Sequence, residues 1–250
     1  MLIDTHCHVL SSEYENVDEI INAAFNENLE KMIINGFDIN SSIEAVELTE
    51  KYNNVYAAVG IGPENVDNIT YNDIKKIKEL TKNKKVISIG EIGLDYYWTK
   101  ETREKQLFVF KEMLKIASEC NLPVIVHSRN AILETYNLLK EYNVKGVMHC
   151  YSGSLEMAKE FVKIGFLIGI GGVVTFKNAK EIKEVVTNLD IKDIVLETDS
   201  PYLSPEPNRG KKNTPSNVYF VAQKIADLKS ISVNEVISIT GQSACTKFDL

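Results

Sequence analysis

Short apolar runs alternate with longer amphipathic stretches along the whole chain. The runs that read as strands cover residues 2–9, 31–37, 55–61, 86–94, 123–127, 146–149, 166–171 and 194–198. Between them the spacing predicts helices near 17–28, 41–52, 73–81, 100–119, 131–142, 155–164 and 179–188. Two more follow near 215–227 and 233–246. The helical period is clearest over 106–117, where Leu107, Phe110, Leu114 and Ala117 fall on one stripe. Pro123 opens its run, where a missing N–H is tolerated in a strand. Gly146 and Gly165 mark turns from helix to strand. Eight alternating βα units predict an α/β fold closed into a (β/α)8 TIM barrel. An open, doubly wound sheet is the alternative. No composition shift or Pro/Ser-rich linker interrupts the pattern, so residues 1–250 read as a single domain.

Composition narrows the class. Hydrophobic residues make up 44% and charged residues 25%, ordinary proportions for a globular protein. No apolar run approaches the roughly 20 residues of a membrane span, and the N-terminus lacks a signal peptide's basic and apolar regions. The expected location is the cytoplasm. Cys7, Cys120, Cys150 and Cys245 show no Cys-x-x-Cys spacing, which favours free thiols over disulfides or a thiolate zinc site. Cys7 and Cys150 each neighbour a histidine. On a strand each faces away from it, so both read as core packing. A net charge of −7 argues against a surface that coats nucleic acid broadly. It leaves room for a local anion site where bound metal supplies positive charge.

The candidate chemistry lies at the ends of the predicted strands, where a (β/α)8 barrel builds its active site. His6 and His8 end the first strand and, two residues apart, share one face. Glu91 lies at the end of the fourth, His127 ends the fifth, His149 the sixth and Asp199 the eighth. These include all four histidines of the chain. Three protein ligands suffice for one catalytic zinc. Four imidazoles and two carboxylates suit two divalent ions with one carboxylate bridging, an arrangement that clamps attacking and leaving oxygens and generates hydroxide near neutral pH. Glu197 shares the face of Asp199 and reads either as an acceptor supporting the site or as a structural ion-pair partner.

Seven segments, in order, resemble the TatD-type metal-dependent deoxyribonucleases. They are IDTHCH at 3–8, GEIGLDYYW at 90–98, PVIVHSR at 123–129, GVMHCYSGS at 146–154, GIGGVVTFKNA at 169–179, ETDSPYL at 197–203 and RGKKN at 209–213. The resemblance implies a metal-dependent hydrolase barrel with two divalent ions (zinc, manganese or magnesium). One is held by His6, His8, Glu91 and Asp199; the other by Glu91, His127 and His149, with Glu91 bridging. It further implies hydrolysis of DNA phosphodiesters, typically from the 3′ end. In that chemistry Glu91 and Asp199 are catalytic, and Asp199 accepts the proton of the attacking water. The partner is then DNA, as 3′ ends or single strands, with no membrane and no obligate protein partner, and the chain acts as a monomer.

Arg129 and Arg209, two of only three arginines, lie beside site segments and are phosphate candidates together with Lys211. Tyr96, Tyr97 and Trp98 either stack on a base or pack under a loop. The chain departs from the family pattern at Gly62, where many relatives carry histidine, and at Asn208 and Ser243. Two further readings fit the same ligands. One is hydrolysis of a carbonyl ester or amide, such as an aminoacyl ester on RNA; the other is a non-catalytic metal-binding module.

Overall fold

The computed structural model describes residues 1–98 and 100–250. The first elements are β1 (Ile3–Cys7), α1 (Val17–Asn26), β2 (Lys31–Asn35), α2 (Ile39–Lys51), β3 (Val55–Val59) and α3 (Tyr71–Leu80). Next come β4 (Val86–Asp95), α4 (Arg103–Cys120), β5 (Val124–Arg129), α5 (Ile132–Tyr142) and β6 (Gly146–Met148). The last are α6 (Leu155–Lys163), β7 (Phe166–Ile170), α7 (Lys180–Asn188), β8 (Ile194–Leu196), α8 (Val218–Lys229) and α9 (Val233–Phe248). The strands form one sheet in chain order, β1 to β8. This is the (β/α)8 TIM-barrel fold expected from the alternation. No helix among the described residues is long and apolar enough to cross a membrane.

Local chemistry explains the element boundaries. The Asp38 carboxylate accepts from Ser41 N at 2.7 Å and Ser41 Oγ returns to the Asp38 N–H, a capping box that starts α2. Thr70 and Asp73 start α3 in the same way. Asn121 and Asn143 end α4 and α5 in the left-handed conformation that asparagine tolerates. Two predicted helices begin later than their patterns: short 3₁₀ turns occupy Lys100–Thr102 and Pro215–Asn217 first.

The chain divides into two compact units. Unit one comprises Met1–Ile34, Cys150–Lys163 and Leu167–Leu250. Within it β1 pairs with β2 in parallel, from Ile3↔Lys31 to Cys7↔Ile34, and β7 pairs with β8. The chain after β8 joins β1: Cys7 bridges Ser200, Asp199 N donates to His6 O at 2.9 Å, and His8 N donates to Ser200 O at 2.7 Å. Strands β1 and β8 are buried along their whole length, as strands covered on both faces should be.

Unit two comprises Asn35–His149 and Ile164–Phe166. Here β3, β4, β5 and β6 pair in parallel. Strand β4 runs one residue past its apolar pattern because pairing with β5 continues through Gly93↔His127 to Asp95↔Arg129. Glu91 therefore lies in the middle of β4, in a register shift between Ile89 and Ile92, and not at its end. The buried stripe of α4 also differs from the predicted one. Gln106 is fully buried and Leu107 is not, because the Gln106 amide accepts from Asp95 N at 2.8 Å and donates to Asp95 O at 2.9 Å.

Candidate metal centre

In unit one β1 and the segment after β8 carry three predicted ligands. His6 Nε2 and His8 Nε2 lie 3.0 Å apart with their rings edge to face. Asp199 Oδ1 lies 3.8 Å from the former and 3.6 Å from the latter. Two imidazole nitrogens and a carboxylate oxygen thus converge on a point. Donors about 2.0–2.2 Å from one divalent ion would be spaced much like this.

Their placement is enforced by Asp4, which the sequence reading passed over. Its carboxylate accepts from Thr198 Oγ1 at 2.6 Å, Thr198 N at 3.0 Å and His6 N at 3.2 Å, so it fixes the backbone of His6 and of Thr198, the residue before Asp199. Complete burial pushes the Asp4 carboxyl up to about 8, against these hydrogen bonds. The signal was available: Asp4, His6 and His8 alternate along one strand and share a face. Asn213, the last residue of the 209–213 motif, clasps the same loop. Its amide donates to Thr198 O at 2.9 Å and Tyr202 O at 2.7 Å, and its carbonyl accepts Asn217 Nδ2 at 2.8 Å.

In unit two donor atoms of Glu91, His127 and His149 lie within 4.8 Å of one another. Glu91 Oε1 is 3.2 Å from His127 Nδ1, and the rings of His127 and His149 are 6.2 Å apart. Asp95, also passed over in the sequence, faces His127 from the other side, with Oδ2 3.0 Å from Nε2. A carboxylate only accepts, so without metal Nε2 donates to Asp95 and Nδ1 to Glu91; an ion held by Glu91 would displace the Nδ1 proton and leave Nε2 on Asp95. Alternation along β4 puts Glu91, Gly93 and Asp95 on one face, which is the pattern that would have found it. Burial works against charge on the His127 ring. The hydrogen bonds and charges of Asp95 and Glu91 outweigh it and hold the imidazolium to about 10. A cation is thus favoured where a metal would replace the proton. Both donor sets, imidazole nitrogen with carboxylate oxygen, fit zinc or a similar divalent ion.

The supporting candidates separate. Glu197 is buried and accepts from Cys150 N, so it serves the backbone just after His149. Cys150 has φ +43°, and Cys7 is buried with Sγ donating to Ile33 O at 3.4 Å. Arg129 ends β5, with its guanidinium 4.0 Å from the Tyr97 ring centroid and 5.3 Å from that of Trp98. Arg209 lies 4.3 Å over the Phe176 ring with Glu206 Oε1 at 4.0 Å. Lys211 is exposed, whereas Lys212 is tied to Glu13 O and lies over Tyr14.

The comparisons point to one family. The profile of the family described as TatD related DNase matches residues 3–249. The metal-dependent hydrolase YabD of Bacillus subtilis (strain 168) is 43% identical over 248 residues, covering 98% of this chain and 97% of that one. The metal-dependent hydrolase YcfH of Escherichia coli (strain K12) is 34% identical over 256 residues, covering 100% and 96%. The crystal structure of YjjV, a TatD homologue from Escherichia coli K12, superposes with a TM-score of 0.92 at 28% identity, covering 100% of this chain and 98% of that one. With the family profile spanning nearly every residue, the chain belongs to the TatD family of metal-dependent hydrolases.

Proposed function

We propose that the protein is a two-metal phosphodiesterase acting on DNA, a 3′–5′ exodeoxyribonuclease of the cytoplasm. The observation that supports this reading most is the pair of converging donor sets, His6–His8–Asp199 and Glu91–His127–His149, in a chain of the TatD family. His6, His8, Glu91 and Asp199 would hold one ion; Glu91, His127 and His149 the other. Bound divalent ions supply Lewis acidity and lower the pKa of water.

The protein's own groups do the rest. Asp199 accepts the proton of the attacking water. Glu91 and Asp199 carry the negative charge that balances the ions. Asp95 holds the His127 tautomer, so Nδ1 stays available. Arg129, Arg209 and Lys211 take phosphate oxygens, the arginines with paired N–H donors. The test is metal-stripped protein reloaded separately with zinc, manganese and magnesium and assayed on 3′-labelled single-stranded and duplex DNA. Metal-dependent loss of the 3′ label is expected. Cleavage that survives exhaustive chelation, or no cleavage with any ion, overturns the proposal.

A further inference from the structure

The three aromatic residues that follow the β4 ligand strand have different fates. Tyr96 is tied down: its hydroxyl donates to Glu134 Oε2 at 2.8 Å, Arg103 stacks 5.4 Å from its ring, and Arg103 also binds Glu134. Tyr97 and Trp98 stay in solvent, 53% and 62% exposed, with their rings edge to face at 4.6 Å. Their backbone is nonetheless fixed. Tyr97 N and Trp98 N both donate to Asp95 Oδ1, at 2.8 and 3.0 Å, and the other oxygen of that carboxylate touches His127. The Arg129 guanidinium lies against both rings, two residues beyond His127 on β5. The backbone beneath an exposed indole and an exposed phenol is thus held on the carboxylate that orients a metal-ligand candidate, and a guanidinium lies against both rings.

We propose that Trp98, Tyr97 and Arg129 form a nucleotide clamp beside the Glu91–His127–His149 set. An unpaired base stacks on the Trp98 indole, and Arg129, backed by Tyr97, donates to the flanking phosphate. The inference rests on the phosphodiesterase reading and adds to it the residues that would capture an unpaired strand. Base–aromatic stacking tolerates any sequence, and the bases of an intact duplex are already stacked on each other. Charge favours the same partner. With a net charge of −7 the surface at large repels a polyanion, so local contacts must capture the strand. Exposed tryptophan and tyrosine on rigid backbone supply large contact area at small entropic cost.

Trp98 is the only tryptophan of the chain, so its fluorescence reports this position alone. The experiment titrates the metal-loaded full chain with phosphorothioate-linked oligo(dT), which resists hydrolysis, and with a blunt hairpin of the same length. Saturable quenching by oligo(dT), much weaker quenching by the hairpin, and loss of affinity at higher salt are expected. On cleavable oligo(dT), Trp98→Ala raises KM about 5–150-fold, falls on KM more than on kcat, and is largely rescued by Trp98→Phe. Cleavage of oligo(dT) without any change in fluorescence, and with normal KM in Trp98→Ala, overturns the clamp and leaves the nuclease reading intact. Equal quenching by strand and hairpin also overturns it. Quenching by oligo(dT) in a protein that hydrolyses no phosphodiester supports the clamp and overturns the nuclease reading.

Discussion

Asp199 adopts φ +56°, a left-handed conformation that costs a residue with a Cβ about 1–2 kcal/mol. Neighbours maintain it: Asp199 N donates to His6 O, and Tyr202 N donates to Asp199 O at 2.8 Å. Asp199→Asn keeps this shape and loses the basicity. Turnover is expected to fall about 10²–10⁴-fold while the circular dichroism spectrum is unchanged. Gly62 is the opposite case, a residue whose backbone asks for nothing special. Its φ of −70° and ψ of 160° suit any side chain, and a Cβ there would meet Phe37 Cβ at 3.5 Å and Glu91 O at 3.9 Å, ordinary contacts. Gly62→His should fold normally and place a donor beside Glu91. It is expected to raise kcat/KM on DNA by up to about 10–100-fold, the equivalent of one charge-assisted hydrogen bond. A stable, metal-loaded variant with wild-type kinetics would show that the histidine of many relatives is dispensable here. All six ligand candidates were legible as His or carboxylate in or just after apolar runs. The left-handed turns at Cys150 and Asp199 were not, because no glycine marks them.

Among the elements, strand and helix order could be read from hydrophobic period alone, and most boundaries fall within a few residues of the pattern. What the period could not show is where pairing outlasts it. Strand β4 continues to Asp95 because β5 continues beside it, and this carries Asp95 to His127. Gln106 lies outside the apolar stripe expected of its helix, yet it is the residue that pins the end of that strand. The 209–213 segment was read as a basic phosphate loop. Structurally its fixed point is Asn213, whose amide closes the turn after Asp199. Asn213→Ala removes the amide that donates to Thr198 O and Tyr202 O. A loss of about 1–3 kcal/mol in urea unfolding is expected, together with weaker metal binding in competition with a chelator. An unchanged unfolding midpoint would mean the loop holds its shape without the clasp.

For the molecule as a whole, the candidate donor sets predict a stability that depends on metal. Ions that bind only the folded chain stabilise it by mass action, about 2.7 kcal/mol at a hundred times Kd. For a chain of this size, saturating zinc or manganese should raise the thermal midpoint by roughly 5–10 °C over chelated protein in scanning calorimetry. A midpoint indifferent to chelator would contradict metal binding by the folded state. The seam where Asp199 N meets His6 O has a consequence for synthesis. The ribosome delivers Asp199 long after His6 and His8, with the strands β2 to β8 made in between. Segments fold as they emerge, but these two histidines wait for a carboxylate made much later. Metal capture by this candidate triad is therefore expected only after residue 199 has emerged, and a nascent chain stalled before it carries two of the ligand candidates without the third.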